Sequence, residues 1–285
     1  MNSRFKLFYP LIVILLLSFS CCGGGSKKSF FWKVQSKKAT VYIMGSIHVA
    51  KKEIYPLNTK FTKAFKASRY LVVEVDITKI NLSDQIKLVE SFKYKGKDVL
   101  RNHISKETYE KAKTGLDTHG IPIARLSKFK PWLIAATISL LDLAKLGYDK
   151  KYGIDLHFLN LANKDEKVIL ALETAKEQMT ILNNLSDEVQ KEFLVSSLGS
   201  MDDLQKDMEE IFKTWQKGNL KAFRKAFISN FKKYPKLAPL YKKLITDRNI
   251  TMTSKIEGYI KKGGTYFVIV GSGHLTGKEG IIELL

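Results

Sequence analysis

Two histidines, far apart in the chain, close the same local pattern. Gly45-Ser46-Ile47-His48 follows the run Thr40-Val41-Tyr42-Ile43-Met44, and Gly271-Ser272-Gly273-His274 follows Thr265-Tyr266-Phe267-Val268-Ile269-Val270. Each run is β-branched and aromatic, the signature of a buried strand. The glycine after it lets the backbone leave the strand sharply. Ligands of open α/β sheets bind beyond the carboxyl ends of the strands, so two such histidines on neighbouring strands would face one site. Two further apolar runs end in acids: Tyr70-Leu71-Val72-Val73-Glu74-Val75-Asp76, which reads as a strand, and Lys167-Val168-Ile169-Leu170-Ala171-Leu172-Glu173, which reads as a buried strand. Asp76 lies two residues past Glu74, which on a continuing strand is the same face. A carboxylate beside an apolar strand needs a partner. Two imidazoles and two or three carboxylates at one sheet edge suit a divalent cation of the zinc, manganese or cobalt kind. Such an ion generates hydroxide near neutral pH and polarises a carbonyl. The same groups also serve a metal-free reaction, with a histidine or glutamate as general base and the other histidine polarising the substrate.

The remaining polar candidates have competing structural readings. Arg248, between Asp247 and Asn249, is placed either to hold a carboxylate bidentately or to form a surface ion pair. Gln178 follows Glu173-Thr174 by one helical turn and either reaches the site or faces solvent. His103 and His119 sit in polar helical surroundings and are expected to be exposed. His157, beside Phe158 and Leu159, reads as a histidine at the edge of the core. Trp132, after Pro131, reads as core packing at a helix start.

The elements that must position these residues alternate between strand and helix. Phe30–Gln35 and Ala39–Met44 form a hairpin split by Ser36-Lys37-Lys38, and amphipathic stretches follow over 57–68, 82–92 and 105–119. Pro131 opens a long apolar helix that ends at Gly147, and 155–163 is helical again. From Ser186 to about Lys262 the apolar spacing is helical throughout, until Gly263-Gly264 breaks the chain before the last strand. This order predicts one α/β domain over 30–285, with a mostly parallel central sheet, flanking helices and a helical insertion at about 186–262.

Composition bounds the compartment and the chemistry. Arg4 and Lys6 precede the apolar run Leu11–Leu17, too short for a membrane span and right for a signal peptide over 1–21. Leu17-Ser18-Phe19-Ser20-Cys21 resembles a bacterial lipoprotein processing box, with Cys22 the alternative lipidation site and 22–29 a flexible tether. The expected location is therefore the bacterial cell envelope, exported and anchored to the membrane by lipid. Cys21 and Cys22 are the only cysteines, which leaves the body without a disulfide, a thiol nucleophile or a thiolate ligand. The net charge of +20 comes mostly from scattered lysines and lacks the clustered arginines of a nucleic-acid reader, so no nucleic-acid partner is expected.

Taken together, the motifs resemble the TraB/GumN family, which includes pheromone-shutdown proteins and is related to the Tiki proteases. The resemblance runs from about Phe31 to Leu285. It rests on Gly45-Ser46-Ile47-His48, Val72-Val73-Glu74-Val75-Asp76, Lys130-Pro131-Trp132, Gly153-Ile154-Asp155, Leu172-Glu173-Thr174 with Gln178, Asp247-Arg248-Asn249, and Gly271-Ser272-Gly273-His274. Ser46 stands where the family often has threonine. The resemblance implies an EreA/ChaN-like α/β fold and, from the Tiki relatives, metal-dependent peptide cleavage. Its metal ligands map to His48, Glu74 and His274, with manganese, cobalt or zinc as the ion. Glu173 would then be a further ligand or the general base, and Arg248 a contact to substrate or oxyanion. The expected function is a membrane-tethered metal-dependent hydrolase, a peptidase acting on an extracytoplasmic peptide or protein. The alternative is a non-catalytic lipoprotein that binds haem or iron, or that sequesters a peptide signal.

Overall fold

The structure is a computed structural model that describes residues 29–80 and 82–285. The expected signal segment, with Cys21 and Cys22, lies outside the described residues. Among the described residues no helix is long and apolar enough to cross a membrane.

Five strands form one sheet: β1 (Phe31–Gln35), β2 (Ala39–Ser46), β3 (Tyr70–Val73), β4 (Val168–Ala171) and β5 (Gly264–Gly271), in the order β1-β2-β5-β3-β4. β1 and β2 make an antiparallel hairpin, and the other pairings are parallel. Ser46 pairs with Gly271, Ile269 with Val73, and Val73 with Ala171, so four strands finish along one edge. The expected mostly parallel sheet with flanking helices is present.

Alternation along β5 shows why the sheet is covered on both sides. Phe267 and Ile269 enter one apolar core, while Tyr266, Val268 and Val270 enter another, and all five are at most 1% exposed. A strand buried on both faces must read as a continuous apolar run, as this one does. On the first face pack α1 (Thr59–Ala67) and α5 (Ile154–Lys164). The ring of Phe158 lies 4.9 Å from that of Phe267, and Phe65 lies 5.8 Å from it. Burying a side chain of this size contributes roughly 1.5–3 kcal/mol. That contact seats α5, and with it Asp155 in its first turn. On the second face α12 (Asp247–Lys262) packs through Met252 and Ile256, which sets its first residues, Arg248 and Asn249, beside the strand ends.

The remaining helices are α2 (Leu82–Glu90), α3 (Lys106–Asp117), α4 (Pro131–Lys145), α6 (Ala175–Asn183), α7 (Asp187–Ser197), α8 (Met201–Gln216), α9 (Leu220–Phe227), α10 (Ser229–Lys233), α11 (Ala238–Tyr241) and α13 (Ile281–Leu284). Trp132, Leu133 and Ile134 of α4 join Phe193 and Leu194 of α7 in a separate helical core. α6 begins with a capping box in which Thr174 and Glu177 satisfy each other's backbone N–H groups. A π-helical turn, Lys242–Thr246, leads directly into α12.

Three local expectations change. β3 stops at Val73, so Asp76 is not on its face; it caps the next turn, accepting from Thr78 N at 3.1 Å and pairing with Lys79 at 2.9 Å. β4 is an edge strand, with Val168 48% exposed, because one apolar run serves an edge or a centre equally. His103 and His119 are partly buried and ion-paired, His103 between Asp98 at 2.7 Å and Asp187 at 3.2 Å, His119 to Asp142 at 2.7 Å. His157 does sit at the core edge, its ring 5.1 Å from Phe158, and burial pushes its pKa down.

Candidate functional site

The ends of the parallel strands carry the chemistry. His48 follows the end of β2, Glu74 the end of β3, Glu173 the end of β4 and His274 the end of β5, and all four side chains are buried. The ladder runs on past β3 and β4, since Glu173 N donates to Glu74 O at 2.8 Å. This extension holds the two glutamates side by side.

α5 docks directly on the first glycine-histidine turn. Ile154 N donates to Ile47 O at 2.9 Å, and a Cβ on Gly153 would lie 2.3 Å from His48 O. Only glycine permits so close an approach of backbone to backbone. Asp155 then reaches both ends of the turn: Ser46 Oγ donates to Oδ1 at 2.6 Å, and His48 Nδ1 lies 2.6 Å from Oδ2. His48 Nε2 is buried and, among the described residues, has no hydrogen-bond partner.

His274 is held in the same way from the other side of the sheet. Asn249 Nδ2 donates to Glu279 O at 2.6 Å, which turns Oδ1 toward His274 Nδ1, 2.6 Å away. An amide oxygen only accepts, so Nδ1 carries the proton and Nε2 keeps its lone pair. That Nε2 lies 3.8 Å from Glu74 Oε1. Both imidazoles are therefore fixed through Nδ1, the arrangement that orients histidine ligands in metal sites.

Beneath them lies a carboxylate–guanidinium network. Arg248 Nη2 donates to Glu74 Oε2 at 2.5 Å and to Glu173 Oε2 at 2.8 Å. Nε donates to both oxygens of Glu173, at 3.1 and 2.9 Å, and Nη1 to Leu244 O in the π-helical turn at 2.9 Å. Gln178 is 1% exposed and bridges Glu173 Oε2 at 3.0 Å and Glu74 Oε2 at 3.3 Å. Gly271 N donates to Glu74 Oε1 at 2.6 Å.

The charges follow from these contacts. Burial would push the Glu74 carboxyl up, but Arg248, the two histidines and the Gly271 N–H hold it down at about 2. Burial lowers His274 to about 3, against the pull of Glu74, so it is neutral. Burial also works against a charged His48, yet Asp155, with Glu74 adding to it, raises its pKa above the ordinary 6.5. Arg248 is raised because Glu74 and Glu173 outweigh its burial.

Once His48 gives up its proton both imidazoles are neutral, and the carboxyl groups of Glu74, Glu173 and Asp155 then face the single guanidinium of Arg248. This excess of negative charge, two oriented imidazoles and the orphaned His48 Nε2 fit a divalent cation in donor chemistry. Among the described residues no three His, Cys, Asp or Glu side chains stand as an assembled metal-holding cluster. The oxygens of Glu74 are engaged by Gly271, Arg248 and Gln178.

The residues that sequence reasoning underrated are Ser46, Asp155, Gln178 and Asn249. Each lies inside a motif already singled out, but the contacts that matter are long-range ones. Asp247, by contrast, turns outward to Lys242 and Lys243.

The profile of the TraB/PrgY/gumN family matches residues 30–285. The chain belongs to this family. It is 25% identical over 251 residues to the uncharacterized protein YbaP of Escherichia coli (strain K12), covering 86% of this chain and 87% of that one. YbaP of Shigella flexneri matches to the same extent, 25% over 251 residues. No solved structure matches the chain. His274, the two glutamates and Arg248 thus sit in one buried network, and Asp155 holds His48 at the end of the neighbouring strand.

Proposed function

We propose that this TraB-family chain is a metal-dependent hydrolase acting on a peptide or protein, with its reaction centre at His48, Glu74 and His274. The observation that carries the reading is the pair of imidazoles anchored through Nδ1, with His48 Nε2 buried and unpartnered. His48, His274 and Glu74 would hold the cation. When bound, a divalent ion supplies a hydroxide near neutral pH and polarises the scissile carbonyl. Asp155 and Asn249 keep both rings in the tautomer that presents Nε2. Arg248 and Gln178 hold Glu74 and Glu173 in place, Arg248 keeps Glu74 ionised, and burial of the whole network excludes bulk water. A lipid on Cys21 or Cys22 would place this chemistry at the membrane surface of the envelope.

A second reading has one observation in its favour. The raised pKa of His48 beside Asp155 suits a general base working without metal, because an Asp–His pair both orients the ring and stabilises its protonated form.

Metal analysis of the purified protein, with mass spectrometry of a peptide mixture incubated with and without chelator, tests these readings. The expected result is bound Mn, Co or Zn and cleavage that chelator stops. Added metal should raise the melting temperature of the wild type and not of His48→Ala or His274→Ala. Cleavage indifferent to chelator selects the His48–Asp155 reading. No cleavage, with a haem absorbance band or with intact peptide retained, selects a binding protein.

A further inference from the structure

Glu173 and Arg248 are also the inner wall of a groove between α6, the start of α7 and α12. The groove encloses about 930 Å³, a size within the roughly 300–1,000 Å³ that ligand sites span. Glu173 and Arg248 both touch Gln178 or Glu74 directly, so an occupant of this groove lies one side chain away from Glu74. Resting on the hydrolase reading above, we propose that the groove binds the substrate, and that the substrate is a peptide segment bearing acidic side chains beside apolar ones.

The wall chemistry carries this. Ile181, Val189 and Pro239 supply an apolar strip, and Lys176, Lys243 and Lys255 stand along it. The acids of the groove are already engaged. Glu177 accepts from Thr174 N at 2.6 Å and Thr174 Oγ1 at 2.8 Å, contacts that hold its carboxyl low, with Lys255 a lesser contributor. Asp247 takes Lys242 and Lys243, and Glu173 takes Arg248 and Gln178. What remains is cationic. Lys176 is exposed and, among the described residues, has no ion-pair partner, while Lys255 gives one N–H to Leu172 O and keeps two. A basic peptide would be repelled along this wall, and a neutral one would leave its charge unmatched. An extended peptide of alternating apolar and acidic residues satisfies both the strip and the lysines.

The test is fluorescence anisotropy of short labelled peptides, one alternating Leu and Glu and one alternating Leu and Lys, titrated with the full chain. The Leu/Glu peptide should bind, more weakly as salt rises, and the Leu/Lys peptide should not. Lys176→Glu should weaken binding about tenfold, whereas Lys206→Glu, a reversal on α8 outside the groove wall, should change it less than about twofold. Circular dichroism confirms the fold of each variant, and Lys176→Met takes the place of Lys176→Glu should that variant misfold. Equal binding of the two peptides, or equal loss from the two reversals, overturns the proposal. So does polyphosphate competing as well as unlabelled Leu/Glu peptide, since charge alone would then explain the binding. Binding without cleavage leaves the groove standing and removes the hydrolase reading. Cleavage indifferent to substrate charge does the reverse.

Discussion

Asp155 grips both ends of one glycine-histidine turn: its Oδ2 is 2.6 Å from His48 Nδ1 and its Oδ1 takes the Ser46 hydroxyl at 2.6 Å. This carboxylate, more than any other group, raises the pKa of His48. His48 must be neutral for Nε2 to accept a metal ion or a proton, so activity should rise with pH through that raised value. Asp155→Asn lowers it and should move the acid limb of the pH–rate profile toward lower pH. The plateau should also fall about 10–100-fold, the usual cost of losing the group that orients a ligand histidine. An acid limb that stays in place in Asp155→Asn would show that another group controls it.

Stability should fall steeply in acid, and Glu74 makes the sign explicit. Its folded pKa is depressed to about 2 from an ordinary 4.5. It therefore stabilises the fold above pH 4.5, and that contribution is lost as pH drops toward 2. His274 acts in the same direction: its folded value of about 3 lies below the ordinary 6.5, so the unfolded chain takes up a proton first as pH falls through that window. Glu74→Gln should cost on the order of 2–3 kcal/mol at neutral pH and much less near pH 2. Urea unfolding at several pH values checks this; parallel curves for the two proteins would refute it.

What was readable in the chain and what was not divides by range. The strand-end histidines were legible because a β-branched run and the glycine that ends it are local signals. The start of α4 at Pro131 and of α7 after Ser186 were legible for the same reason. Alternation puts Asp76 on the face of Glu74, but it holds only while a strand continues, and β3 ends at Val73. β4 reads as buried yet lies at the sheet edge, because apolar composition does not record a strand's position in the sheet order. The partners of the histidines were hidden more deeply. Ser46 meets Asp155 across 109 positions and His274 meets Asn249 across 25. Those pairings depend on how α5 and α12 seat against the sheet, through Phe158 on Phe267 and through Met252 and Ile256, which no local period encodes.

Gly273, inside the second glycine-histidine turn, meets the helical insertion. A Cβ there would lie 2.6 Å from Cζ and 2.9 Å from Cε1 of Phe227 on α9. Gly273→Ala should destabilise by roughly 1–3 kcal/mol through overpacking. In Gly273→Ala/Phe227→Leu the smaller side chain makes room, so the double variant should be more stable than the sum of the single losses. A double-mutant cycle measures the coupling. Strictly additive losses would mean that the ring does not constrain this turn.

Arg248 tests whether the network is structural or substrate-facing. The sequence expectation makes it a contact to substrate or oxyanion, yet its donors go to Glu74, Glu173 and Leu244 O, and the residue is 3% exposed. Lysine keeps the charge but cannot reproduce the fork that holds two carboxylates at once. Arg248→Lys should therefore lose on the order of 3–5 kcal/mol, the usual cost of leaving a buried carboxylate unpaired. Adding Glu173→Gln removes that surplus charge, and the double variant should recover at least about 1 kcal/mol over Arg248→Lys alone. A substrate contact behaves differently: Arg248→Lys would unfold like the wild type, raise KM, and gain nothing from Glu173→Gln. Chemical unfolding of the wild type and the two variants, read beside their kinetics, separates the clamp from the contact.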